Sequence, residues 1–163
     1  GGIVFYVDET GEHGLVAALE DLTAEATEPN GDGFNAYEWG CFEENVSGAD
    51  GQAIGTGYQN TMDIVNQGCS TENGGITAAQ AALDAEINGY SDWYLPSKDE
   101  LMEMYNTLGN GRPEGSIGVF ENNWYWSSSE YNLNFAWYVY FYNGLTSGND
   151  KHITDNVRVI RAF

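Results

Sequence analysis

Asp92-Trp93-Tyr94-Leu95-Pro96-Ser97-Lys98-Asp99-Glu100-Leu101 is the stretch on which the fold of this chain turns. Ser97-x-x-Glu100, preceded by Pro96, is a capping box. Behind it Leu101, Met104, Tyr105 and Leu108 form one apolar stripe at helical spacing, which reads as core packing. Upstream, Thr77-x-x-Gln80 opens a second helix over Ala78 to Asn88, ended by Gly89. Before that, Tyr58, Met62 and Val65 fall at i, i+4 and i+7, and Gly68 stops the helix they predict. Downstream of Gly109 the character changes, and 11 of the 23 residues from 120 to 142 are aromatic. Trp124 to Ser128 and Phe135 to Tyr142 are predicted strands, Asn143-Gly144 a hairpin turn, and Val157 to Phe163 a closing strand. At the other end, Ile3 to Val7 and Leu15 to Ala18 make a hairpin around the turn residues 8–14. Residues 20–56 show no sustained period and read as long ordered loops with short strands near Tyr37 to Phe42. A hairpin, loops, helices and then a β-rich half make the class α+β rather than parallel α/β.

The length, 163 residues, fits one domain with a core of its own. The chain opens abruptly in a strand, as a module of a longer protein does. The formal net charge is -20, from 25 acids and 5 bases, and the first base is Lys98. Such a surface repels nucleic acid and anionic headgroups, so neither is an expected partner, and no apolar run is long enough for membrane insertion. Two compatible readings stand: an ordinary solvated surface, and one on which some carboxylates hold divalent cations. Cys41 and Cys69 fit no zinc motif; they either pair as a disulfide, the reading favoured, or stay as two buried thiols.

Catalytic chemistry finds little purchase. His13 and His152 lie in polar turns, no Gly-x-Ser-x-Gly elbow exists, and Gly55-Thr56-Gly57 lacks the Lys of a phosphate loop. A glycosidase needs only two carboxylates, which among 25 acids arise by chance. Binding is better represented. By alternation, Phe135, Trp137, Val139 and Phe141 are the expected core face, while Ala136, Tyr138, Tyr140 and Tyr142 face solvent as stiff contact area. Beside them, Glu130, Asn132 and Asn134 lie in one loop, and Asn149, Asp150 and Asp155 in the next. The expected calcium ligands are Glu130, Asn149, Asp150 and Asp155, with Asn30 and Asp32 in a separate acidic turn. The expected ligand contacts are Tyr131, Asn132, Asn134, Tyr138, Tyr140, Tyr142, Asn149 and Lys151, with Lys151 the nearby free base.

Several motifs together carry a family resemblance. Gly2-Ile3-Val4-Phe5-Tyr6-Val7-Asp8, Trp39-Gly40-Cys41, Ile54-Gly55-Thr56-Gly57 and Asn60-Thr61 stand in the first half. Asp92 to Leu101 stands in the centre, and Tyr125-Trp126-Ser127-Ser128-Ser129-Glu130, Ala136-Trp137, Asn143-Gly144 and Val157-Arg158-Val159-Ile160-Arg161 in the last third. The chain resembles the bacterial C-type-lectin-like domains found at the C-terminus of a collagen-like adhesin and within giant repeats-in-toxin adhesins. The resemblance implies a C-type-lectin-like fold, an extracellular bacterial cell-surface location, adhesion without catalysis, and a ligand site near the C-terminal strands. Within that family it implies calcium-dependent recognition of short peptides or protein termini on other cells, through a free C-terminal carboxylate. Glycan binding of the lectin kind is the alternative.

Overall fold

The computed structural model describes residues 1–23, 25–29 and 35–163. Chain order runs β1 (Ile3–Val7), β2 (Gly14–Ala17), β3 (Glu28–Pro29), β4 (Asn35–Glu38), α1 (Gly57–Gln67), α2 (Ala78–Asp84) and α3 (Lys98–Thr107). It continues with β5 (Trp124–Glu130), β6 (Phe135–Tyr140), β7 (Leu145–Asp150), β8 (Thr154–Asp155) and β9 (Ile160–Ala162). The described strands form three three-stranded sheets, β1-β2-β9, β3-β4-β8 and β5-β6-β7, with every strand pairing antiparallel. The class is α+β, as the element order predicts. Among the described residues no helix is long and apolar enough to cross a membrane.

Local chemistry sets the helices. Both capping boxes cap as expected on the N-cap side: Thr77 Oγ1 accepts from Gln80 N, and Ser97 Oγ from Glu100 N. At α3 the Glu100 carboxylate also accepts from Ser97 N at 2.7 Å and from Gly55 N at 2.8 Å. The capping acid is therefore buried, and burial raises its pKa against those hydrogen bonds.

Helix α2 is shorter than the predicted Ala78 to Asn88. It stops at Asp84 because Ala85 is extended and Asn88-Gly89 turns a tight bridge between Ile87 and Tyr90, both residues at positive φ. On α1 the buried face is Gly57, Asn60, Thr61 and Ile64, not the predicted Tyr58, Met62 and Val65. Polar side chains can occupy that face because their partners come with them. Thr61 Oγ1 donates to Gly57 O, and Asn60 Nδ2 donates to Gly51 O and Ser128 Oγ. Gly57 lies so close to Glu100 and Ser97 that any added Cβ would collide with them.

Two apolar cores lie back to back. One holds Trp39, Ile64, Trp93, Leu95, Trp126, Val157 and Val159, and the other holds Phe5, Leu15, Tyr94, Leu101, Met104, Tyr125, Phe141 and Ile160. Strand alternation feeds both from the same segments. Trp93 and Leu95 point one way and Tyr94 the other; Trp126 and Tyr125 divide likewise, as do Val159 and Ile160. Cys41 and Cys69 form a disulfide with Cα atoms 4.7 Å apart, closing a 28-residue separation. Such a crosslink contributes roughly 3 kcal/mol in the chain-entropy account.

Candidate functional site

Strand β6 is the centre of the candidate site, and its two faces are not core and solvent. On one face Ala136 is fully buried, and Tyr138, opposite Trp126, packs on the first core. Farther along that face Tyr140 stacks on Trp124 at 5.2 Å and 23°, with Tyr142 at 5.8 Å. Tyr142 is 60% exposed, Leu145 53% and Trp124 40%, so this end is an aromatic ledge. On the other face Val139 and Phe141 are core, as predicted, but Trp137 is only half-buried. Its ring lies 4.6 Å from that of Tyr131, and Lys98 Nζ stands 5.1 Å from its centroid. The expected division fails because both faces of this sheet are partly covered, each at a different end.

Glu130 and Lys151 find each other rather than ligands. Lys151 is completely buried, its Nζ 2.6 Å from Glu130 Oε1 and 2.7 Å from Glu44 O, and 4.8 Å from the Trp39 ring centroid. Val46 N donates to the same Glu130 oxygen at 2.9 Å. Burial draws the lysine pKa down while Glu130 opposes the shift. Lys151 is therefore not the free base expected, and Glu130 is not open to calcium. The other bases near the C-terminus are also occupied: Arg158 Nε lies 2.6 Å from Asp21 and Arg161 Nε 2.7 Å from Asp92.

The remaining expected residues divide. Asn149 and Asp150 lie in β7 and Asp155 in β8, not in one loop, because they pair with Ala136, Phe135 and Tyr37 respectively. Alternation puts Asp150 on the opposite face of β7 from Asn149. Asn149 Nδ2 donates to Asp155 Oδ2 at 3.0 Å, while its Oδ1 accepts from Asp150 N at 3.1 Å. Asp155 is 1% exposed, and burial pushes its carboxyl up to about 7, offset only in part by the Asn149 bond. Asn134, in the bend just before β6, has a buried Oδ1 with no hydrogen-bond partner among the described residues. Asn132 shapes the loop instead, its Oδ1 accepting from Asn134 N and Phe135 N at 2.9 Å each. Asn30 and Asp32 lie outside the described residues.

Calcium takes six to eight oxygens. Among the described residues no three His, Cys, Asp or Glu side chains come together as a metal group. The wide set expected from sequence does not fit. What remains together is the Asp155 carboxylate and the Asn149 amide; separately, Asn134 keeps a buried unpartnered oxygen, the kind of atom a cation satisfies. Reading along the sequence missed the ledge residues Trp124 and Leu145 and the Lys98–Trp137 contact. The strong turn at Asn143-Gly144, which puts Leu145 beside Tyr140, was the available signal for one of them.

No curated protein matches the chain. Among solved structures, a fimbrial protein from Bacteroides ovatus ATCC 8483 is similar with a TM-score of 0.50 and 16% identity, across 90% of this chain and 35% of that one. The chain thus spans about a third of that structure, and the likeness is one of fold. The Lcl C-terminal domain pattern matches residues 43–161, from the loop after Trp39 through all three helices and the β5-β6-β7 sheet to β9. The chain belongs to the Lcl C-terminal domain family.

Proposed function

We propose that this chain is a non-enzymatic, calcium-dependent ligand-binding module of a bacterial surface adhesin, C-type-lectin-like in fold, that takes short peptides by a free C-terminal carboxylate. The observation that carries the reading is the Asp155–Asn149 pair beside Tyr138, together with the buried, unpartnered oxygen of Asn134 just before β6. A domain of net charge -20 repels a carboxylate at long range, and with Lys151 sealed against Glu130 no free side-chain cation stands there among the described residues to reverse that. A bound calcium supplies the local positive charge and open coordination positions for an incoming oxygen. Asp155, Asn149 and Asn134 would hold it, while Tyr138, on the same side as Asp155, lines the approach. A disulfide suits an oxidising, extracellular compartment, and the fimbrial protein of similar fold is in keeping with a surface location.

The experiment is calorimetric titration of short peptides as free acids and as C-terminal amides, with calcium and with excess chelator. Binding of the free acid in calcium alone, lost in Asp155→Asn with the domain still folded, supports the reading. Equal binding of the amide, or undiminished binding in chelator, overturns it. The Trp124–Tyr140–Tyr142 ledge favours a second reading, because stacked exposed rings suit the apolar faces of sugars. A glycan array compared with a peptide array separates the two.

A further inference from the structure

The segment after β2, the ring of Tyr37 and the C-terminal end of α2 enclose a cavity of about 560 Å³ that contains none of the residues discussed above as ligands. Its floor is apolar, formed by Leu22, Tyr37, Ile76, Ala81 and Ile87. Glu25 N donates to Tyr37 Oη at 3.3 Å, which ties Glu25 to the Tyr37 side of the lining. Four exposed carboxylates stand on the lining, Glu20, Glu25, Asp84 and Glu86, and no Lys or Arg does. Arg158, which does not line the cavity, is already engaged: it is bound to Asp21 and donates to Ala18 O and Leu19 O at 3.1 Å each. Among the described residues Glu20 and Glu86 have no hydrogen-bond or ion-pair partner. The α2 C-terminus adds carbonyl oxygens, which favour a cation.

We propose that this cavity is a second binding site, for a primary alkylammonium group on an apolar stem, the stem lying on the apolar floor and the charge among the rim carboxylates. The size suits a small ligand or a few side chains. A bare metal ion would find no use for the floor, and an anion would be repelled by the rim. The chemistry is shared by a free alkylamine and by a lysine side chain of a peptide. Neither source needs calcium, so this site stands apart from the Asp155 reading.

The test is calorimetric titration of the whole chain, in chelator, with n-alkylamines from ethyl to hexyl and with a lysine peptide blocked at both termini. Its norleucine counterpart is the control. Affinity for the amines should rise about fourfold per methylene as the stem is buried. Glu20→Gln/Glu86→Gln should weaken binding roughly fivefold to tenfold, whereas Glu12→Gln/Glu114→Gln, of the same charge, should not. Ala85→Phe, which fills the cavity from the end of α2, should abolish binding while melting curves show a folded domain. Asp155→Asn should leave it intact. Tighter binding of the lysine peptide than of hexylamine assigns the site to peptides, and the reverse assigns it to free amines; either supports it. Affinity independent of stem length, insensitivity to the Glu20/Glu86 pair, or no binding of either probe overturns it.

Discussion

Glu130, at the end of β5, and Asp155, in β8 of a different sheet, are both buried carboxylates, and they are treated in opposite ways. Glu130 meets an internal cation, Lys151, and a backbone N–H, and all three partners are withdrawn from water. Asp155 meets one amide and no base. The chain has only 5 bases, and it places one where burial is deepest while leaving a second deep carboxylate with no positive partner among the described residues. The contrast teaches that charge is neutralised inside this fold in two ways, by an ion pair and by a proton. A proton leaves Asp155 as pH rises, whereas the Lys151–Glu130 pair holds its charges together.

The largest expected effect breaks the first of these. Lys151→Met strands the Glu130 carboxylate and should cost about 3–5 kcal/mol in denaturant unfolding. Lys151→Met with Glu130→Gln should recover most of that loss, and a double variant as unstable as the single would show that the pair is not the cause. The next effect is on Asp155. Its folded carboxyl titrates near 7, above its ordinary 3.8, so the folded state holds the proton that the unfolded chain has already lost. The stability it lends is therefore complete below about pH 4 and falls as pH rises to 7, by a few kcal/mol at most. Asp21 and Glu100, also raised by burial, push the same way. The measurement is thus the difference between the parent and Asp155→Asn across that window in chelator, expected to narrow when calcium is added. A constant difference from pH 4 to 8 would mean that Asp155 is ionised throughout. The smallest effect on stability lies farther along the same face, where Tyr142→Ala should change unfolding by under about 0.5 kcal/mol. Trp126→Ala, a core truncation on that face, should cost about 3–5 kcal/mol. Similar losses for the two would mean that the ledge is covered.

The parts of this fold that were legible in the sequence were those whose causes are local. Ser97 and Glu100 are three residues apart, and their reciprocal bonds form wherever that helix starts. The Asn143-Gly144 turn and the stripe Leu101, Met104, Tyr105 and Leu108 are likewise self-contained. What misled was long-range. Lys151 reads as a free base because Glu130 is 21 residues away and Glu44 is 107 away. The buried face of α1 carries Asn60 and Thr61, whose distant partners Gly51 and Leu95 no helical period announces. The faces of β6 cannot be told apart by alternation, because the second layer over each face comes from elsewhere in the chain. Of the expected ligand residues, Asn149 and Asp155 come within hydrogen-bond distance of each other, whereas Glu130 is drawn off by Lys151.

The back-to-back cores carry a consequence for cooperativity. Their dividing wall is the backbone of Trp93 to Leu95, Tyr125 to Trp126 and Val159 to Ile160, laced by Tyr94 N to Ile160 O at 2.9 Å and Trp126 N to Asn156 O at 3.0 Å. Each residue of that wall anchors one core through its side chain, while its neighbour anchors the other. Neither core can open without tearing the strands that hold its twin, so the domain has no half-unfolded state in which only one is lost. Amide hydrogens along the wall should therefore exchange with solvent together, at a single free energy equal to that of global unfolding.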